Sequence, residues 1–331
     1  MNKISYVIKR ISKMDYQKMF KTIKDISKET KKSKLFIFND MIYCGFKYQA
    51  GYSDYKLYKM YNMNANERKT IVTRGINNNI VKKYNNKSYI DCFENKALFN
   101  KLFNKYLNRE WLFLEEASLD DFKEYASKRK EIIVKPLSLS CGRGVEKINL
   151  KGQDLARVYD ELLKNGQTLI EDVAQQNETL NKIYPYSVNT LRVVTLKGHV
   201  VCIFLRLGNN GNVVDNFNHG GMVVPVDVIT GKINYPALDK DGNTYEIHPM
   251  TKEKITGITV PMIEEVKKLC IDACQVVPEI GYVAWDVCLG KTKPCLIEGN
   301  DFPGHDLYQL PVHRKGNIGL LPLFEKIMQE D

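Results

Sequence analysis

The strongest constraint in this sequence lies near its C-terminal end, where two strand-like runs, Tyr282–Leu289 and Pro294–Glu298, are separated by the short turn Gly290–Lys293. Two such runs across a short turn read as a β-hairpin. Glu298 and Asn300 stand two residues apart at a strand end, so both point to one side of the sheet. Pairing across the turn brings Asp286 beside them. Two carboxylates and an amide oxygen are hard donors of the kind a magnesium ion takes, with phosphate and water completing its shell. The competing reading is a carboxylate in a surface turn with Glu-Gly-Asn as turn chemistry, and for an isolated Glu-x-Asn it would prevail.

The rest of the chain supplies context for that hairpin. From about residue 95 the pattern is α+β. Asn95–Leu107 reads as helix, Glu131–Pro136 as a β-branched strand followed by a Ser/Gly loop, Asp154–Lys164 as helix and Thr168–Val173 as strand. Leu191–Leu196 and Val200–Leu205 form a hairpin across Lys197-Gly198, Met222–Val228 is a further strand, and Pro261–Val277 is a long helix begun by proline. Residues 4–28 place Ile4, Val7, Ile8, Ile11, Met14, Phe20, Ile23 and Ile26 near helical spacing, which predicts an amphipathic helix. Residues 35–70 are rich in aromatics and look helical or irregular, and the Asn-rich stretch Gly75–Lys87 reads as a linker.

Charge divides the chain as the patterns do. Residues 1–95 hold 20 of the 49 Lys and Arg but 8 of the 39 Asp and Glu, so the net charge of +10 belongs to the N-terminal region. Two explanations stand: attraction to an anionic membrane surface, a lipid-linked phosphate or a nucleotide sugar, or a Lys- and Asn-rich composition without a ligand. Nucleic acid is disfavoured as a partner, because no binding motif accompanies the charge. No apolar run is long enough to cross a bilayer and no signal peptide is recognisable, which predicts a cytoplasmic protein, with peripheral contact at the inner face of the membrane as the variant. The eight cysteines form no CxxC pair, and Cys270 and Cys274, one helical turn apart, sit in an apolar pattern that predicts core packing.

Three further segments bear chemistry. Lys135-Pro136 is followed by a small-residue loop with Ser138, Ser140, Gly142 and Gly144, whose backbone N–H groups and hydroxyls suit phosphate oxygens, although it is neither a Walker A loop nor a dinucleotide fingerprint. Arg192 and Arg206, on neighbouring strands, can clamp a phosphoryl group or a carboxylate; alternatively they are solvated strand residues. His219, in a polar loop with Asn216 and Gly220-Gly221, is either functional or ordinary surface.

In this order the segments IIVKPLSLSCGRGV, LIEDVAQQNE, YPYSVNTLRVVTL, DNFNHGGMVVPVDVITGKI, GYVAWDV and CLIEGNDFPGHD resemble the ATP-grasp superfamily. The resemblance is greatest to the sugar-transfer-associated ATP-grasp proteins encoded among surface-polysaccharide genes. It implies two α+β subdomains gripping ATP, residues 95–175 and 176–331, behind a basic, mostly helical region 1–94. It further implies that Lys96 and Lys135 contact ATP, the latter on its α/β phosphates. Residues Ser138 to Gly144 would cover the triphosphate, Glu171, Asp172 and Val173 would form the hinge that meets adenine, and Glu178 would hold the ribose. Asp286, Glu298 and Asn300 would hold two magnesium ions, with Glu298 bridging and manganese as a substitute. Arg192 and Arg206 would face the γ-phosphate and the reacting centre. Asn189 stands where many relatives are acidic, and the first 94 residues do not look like the usual N-terminal domain.

The activity implied is a carboxylate–amine ligation through an acyl phosphate, with small-molecule acid and amine substrates, sugar- or nucleotide-sugar-linked. The alternatives are phosphoryl transfer to a hydroxyl or amide, or a non-catalytic ATP-binding partner of a glycosyltransferase. An intact set Asp286, Glu298, Asn300 favours catalysis, because a degenerate binder is free to lose it.

Overall fold

The computed structural model describes residues 14–137, 144–212 and 215–330. The chain forms two compact units, one built from residues 1–83 and 304–331 and the other from 84–303.

The first unit is helical. Asp15 and Ser33 accept hydrogen bonds from the N–H groups of Lys18 and Phe36 and so cap the helices Tyr16–Thr30 and Lys34–Tyr48. The apolar stripe of the first helix, Met19, Ile23 and Ile26, packs with Ile37, Met41 and Cys44 of the second and with Tyr55, Tyr58 and Met60. The amphipathic pattern expected over 4–28 is thus a helix from Tyr16 with a buried stripe, and residues 4–13 lie outside the described residues. The Asn-rich stretch expected to be a linker is instead the helix Arg74–Tyr84. Its asparagines are weak helix formers, but Gly75, Asn77 and Ile80 are buried, and tertiary packing decides. Residues 304–331, which the sequence pattern groups with the catalytic domain, pack with the first unit. Gln309 bonds both backbone groups of Val72, accepting from its N–H at 3.1 Å and donating to its carbonyl at 2.6 Å, and the N–H of Leu321 donates to the Thr70 carbonyl at 2.8 Å.

The second unit holds two antiparallel sheets. One has four strands, β1 (Trp111–Phe113), β2 (Glu131–Lys135), β3 (Glu146–Asn149) and β4 (Leu169–Asp172), in the order β1-β4-β2-β3. Its Ile132, Val134 and Ile170 face the helices Leu119–Ser127 and Leu155–Asn165, burying Phe122, Val158 and Leu162. The other has seven strands, β5 (Thr190–Leu196), β6 (His199–Leu207), β7 (Met222–Val226), β8 (Ala237–Asp239), β9 (Thr244–Tyr245), β10 (Tyr282–Leu289) and β11 (Pro294–Asn300), in the order β11-β10-β5-β6-β7-β8-β9. Lys197 and Gly198 both have positive φ, 52° and 77°, as a tight turn between β5 and β6 requires.

Period-two alternation divides this larger sheet. Val193, Ile203, Leu205, Val283, Trp285 and Val287 pack with Val266, Cys270 and Ala273 of the helix Ile263–Cys274. Cys270 and Cys274 are core residues, as their apolar pattern predicts. That helix starts two residues after Pro261, because Met262 has a left-handed backbone, φ 58°. The intervening residues, Arg192, Arg206 and Asp286, take the other face.

Candidate active site

The candidate site side chains of this sheet fall on that second face by register. Arg192 of β5 lies opposite Asp286 of β10, and Asp286 lies opposite Glu298 of β11. Arg206 is two residues beyond Phe204, the β6 partner of Arg192, and so shares its face. Glu-Gly-Asn at 298–300 is the end of a strand and not a turn. Glu298 and Asn300 flank Gly299, which points the other way into aromatic packing: a Cβ there would stand 2.9 Å from the Phe93 ring and 3.0 Å from Trp285. A bulge in the β10–β11 pairing next to Asp286 frees Ile297 from the ladder, as bulges near functional sites commonly do.

These residues line a cleft of about 640 Å³ whose other wall is the four-stranded sheet. Ile133, Lys135 and Glu171 line it from that side, with Lys96 and Asn100, one turn apart on the helix Lys96–Leu102. Asn95 caps this helix by accepting from the N–H groups of Ala97 and Leu98, and the Lys96 ammonium donates to the Leu137 carbonyl at 3.2 Å. Burial lowers the Lys96 pKa, with Glu298 opposing the shift.

Two buried charge networks organise the cleft. On the larger sheet, Asp286 accepts from Nε of Arg192, from its Nη2 at 2.9 Å, and from Nη1 of Arg206 at 2.8 Å. Arg206 continues through Nη2 to Asp215 at 2.8 Å, and Asp215 accepts from the N–H and hydroxyl of Thr190. Burial alone would raise the Asp286 pKa, but the two guanidiniums outweigh it and hold the carboxyl below its usual range. Glu298 moves the other way, raised by burial and by the adjacent Asp286 charge. Asp215 is raised by burial, against the pull of Arg206.

On the smaller sheet, Glu171 accepts from Lys135 at 2.7 Å, from Nε of Arg109 at 2.8 Å and from Asn100 at 2.9 Å. Its burial opposes ionisation, yet the Arg109 and Lys135 charges hold it well below the ordinary carboxylate range. Arg109 also donates to the carbonyls of Leu296 and Ile297, so one buried guanidinium ties β4 to the bulge of β11.

The cleft therefore gathers Lys96, Lys135, Glu171, Asp172, Val173, Arg192, Arg206, Asp286, Glu298 and Asn300. Asp172 lines it as well, and its carboxylate is held by Tyr125, Arg129 and the N–H of Glu110. Gly144 is exposed, with its carbonyl bonded to Gln167, and is not among the lining residues. Glu178 is an exposed first residue of the helix Glu178–Ile183, also away from the lining. His219 is exposed and outside the lining, while Asn216 is within it. Ser138, Ser140 and Gly142 lie outside the described residues. Asn189 is buried, donating to Gln176 and to the Leu180 and Tyr184 carbonyls, and an acidic residue could not supply those donors.

Asp215, Arg109, Asn100 and Thr190 are cleft residues that the sequence pattern does not single out. Asp215 had a sequence signal, an aspartate directly before the polar Asn216–Gly221 loop. Arg109 had none: its partner Glu171 is 62 positions away.

The donor set fits a hard divalent cation. Glu298 and Asp286 are neighbouring carboxyls on one sheet face, and burial and the Asp286 charge raise the Glu298 pKa, a shift that a cation beside it would offset. The Asn300 amide nitrogen is turned to the Ala284 carbonyl, at 3.4 Å, leaving its oxygen as a donor toward an ion. Asp286 already accepts three guanidinium hydrogen bonds, so an ion there would have to share it with the arginines.

No curated protein matches this sequence. Among solved structures, the chain is similar to the ATP-grasp ligase PsnB complexed with its minimal precursor, at 13% identity and a TM-score of 0.47, over 75% of this chain and 64% of that one. It thus spans less than two thirds of that protein's length. It is also similar to D-alanine–D-alanine ligase from Bacillus anthracis, at 14% identity and a TM-score of 0.42 over 72% of this chain and 66% of that one. For the macrocyclase MdnC of Microcystis aeruginosa MRC, bound with precursor peptide MdnA, the values are 12% and 0.43, over 80% and 73%. By sequence, residues 75–327 match the family described as sugar-transfer associated ATP-grasp, and the α+β architecture, with a cleft between two antiparallel sheets, is that of an ATP-grasp fold. The chain belongs to the sugar-transfer associated ATP-grasp family.

Proposed function

We propose that this protein is a magnesium- and ATP-dependent carboxylate–amine ligase that works through an acyl phosphate on a sugar- or amino-acid-type building block of a surface polysaccharide. The observation that carries the reading is the pair of half-buried arginines converging on Asp286 beside Glu298, across a cleft from Lys96 and Lys135. Such a site concentrates positive charge where negative charge develops during phosphoryl transfer.

In this reading ATP lies with its adenine against the backbone of Glu171–Val173, while the Glu171 side chain, fully engaged, holds Lys135 in place for the α/β phosphates. Lys96 faces the same triphosphate. Glu298, Asn300 and the shared Asp286 would hold magnesium, which would neutralise charge on the triphosphate. Arg192 and Arg206 orient the γ-phosphoryl group and the acceptor carboxylate. The carboxylate oxygen attacks the γ-phosphorus, ADP leaves, and an amine then attacks the acyl carbon of the mixed anhydride, expelling inorganic phosphate and giving up a proton. Two ions, with manganese able to substitute, belong to the same reading, as does action in the cytoplasm.

Hydroxylamine trapping tests it. Purified protein with magnesium, ATP and a panel of uronic and amino acids is expected to give a hydroxamate in step with ADP, and Glu298→Gln to lower the rate by about 100-fold or more. ADP formed with an acceptor but never with a hydroxamate would replace the ligase reading by phosphoryl transfer to a hydroxyl or amide. Unchanged turnover in Glu298→Gln would remove the catalytic assignment altogether.

A further inference from the structure

The helix Lys34–Tyr48 breaks the rule that an exposed helix has one apolar and one polar face. Ile37, Met41, Cys44 and Tyr48 form its buried side. At helical spacing, Leu35, Phe36, Tyr43 and Phe46 fall on the opposite side, where they are 70%, 53%, 46% and 57% exposed. Side chains of this size grouped on one outward face mark an interaction surface rather than isolated surface apolars.

Charge identifies the partner. The Lys47 ammonium lies 5.7 Å from the centre of the Tyr43 ring, Lys32 lies 5.6 Å from that of Phe36, and Lys31 and Lys34 are exposed at the helix start. The helix has a single carboxylate, Asp40, and it is occupied by Arg68 through two hydrogen bonds of 2.7 Å and by the Tyr55 hydroxyl at 2.6 Å. The outward face is therefore aromatic and cationic without a competing acid. A second copy of the same face would bring lysine against lysine, whereas an anionic lipid surface complements both its charges and its rings. With 15 residues the helix is about 22 Å long, and among the described residues no helix is long and apolar enough to cross a membrane, so the contact lies in the plane of the surface.

We propose that the outward face of Lys34–Tyr48 docks the protein reversibly on an anionic lipid bilayer. This surface is distinct from the amphipathic helix expected over 4–28, whose stripe from Met19 to Ile26 is buried. It is also independent of the reaction assigned to the cleft.

Vesicle flotation of the full chain tests the proposal. The protein is expected to float with vesicles of phosphatidylglycerol and phosphatidylcholine in equal parts, and not with phosphatidylcholine alone. Phe36→Ser with Phe46→Ser should weaken that binding by about tenfold or more, since each removes a large apolar side chain from the contact. Lys34→Glu with Lys47→Glu should weaken it comparably without touching the rings, and added salt should do the same. All four positions are exposed, so thermal transitions are expected to match the unsubstituted chain. Binding to anionic vesicles that survives both pairs of substitutions, or no binding by the unsubstituted chain, overturns the proposal. A dimer in light scattering that Phe36→Ser with Phe46→Ser abolishes, without vesicle binding, overturns it in favour of a second copy.

Discussion

Glu171 illustrates how one buried carboxylate can hold a site together. It compensates Lys135 and Arg109 at once, and Asn100 satisfies its remaining oxygen. Replacing it with glutamine keeps the shape and leaves two cations sharing a neutral partner in a buried setting. Breaking such an arrangement costs about 3 kcal/mol. The pH dependence has a definite sign. The folded pKa lies below the unfolded value, so the stabilisation is present above the unfolded pKa of about 4.3 and is lost as pH falls toward the folded one. Urea unfolding of Glu171→Gln at neutral pH should therefore show the full loss, and the gap from the unsubstituted protein should narrow below about pH 4. Of the participants, Lys135 could be found from the sequence because a strand delivers it ahead of a small-residue loop, and Glu171 through the family resemblance. Arg109 could not, because nothing near it in the chain signals that its side chain crosses to Glu171 and to the carbonyls of β11.

At the scale of elements, strand alternation is what made the seven-stranded sheet legible. A period of two fixed the face of Arg192, Arg206, Asp286 and Glu298, and two short turns fixed the hairpins. Two elements resisted the same reading for opposite reasons. The helix Arg74–Tyr84 has poor local propensity and exists because Gly75 lets its backbone approach Gln49, whose Cβ would lie 2.5 Å from a Cβ at that position. Glu-Gly-Asn has the composition of a turn, yet its glycine is there because Phe93 and Trp285, with ring centres 5.8 Å apart, leave no room behind β11. Gly299→Ala is accordingly a test of the strand rather than of a turn. Overpacking of this kind costs about 1–3 kcal/mol. A pushed strand end also displaces Glu298 and Asn300, the proposed magnesium ligands, so under that proposal the apparent affinity for magnesium should fall along with the denaturation midpoint. If residue 299 lay in a solvent turn, neither measurement would change.

At the scale of the whole molecule, charge and packing draw different boundaries. The excess of lysine ends near residue 95, whereas the first unit ends at Lys83 and takes back residues 304–331 from the far end of the chain. That return is invisible to composition, because it is made by bonds such as those between Val72 and Gln309, which are 237 positions apart. It also gives Gln309 a role out of proportion to its size. Its amide acts as a strand partner for Val72, and both residues are almost completely buried. In Gln309→Ala the Val72 N–H and carbonyl lose these two partners, and each buried backbone group left unsatisfied costs about 1–3 kcal/mol. If each unit unfolds cooperatively by itself, that loss belongs to the first unit only. Hydrogen exchange of the full-length variant should then accelerate throughout the helices Tyr16–Thr30, Lys34–Tyr48 and Leu321–Gln329, while the amides of β5, β10 and β11 keep their protection. Equal acceleration in both sets would mean that the two units share one unfolding transition, and that a change in the helical unit can reach the stability of the strands that carry Arg192, Asp286 and Glu298.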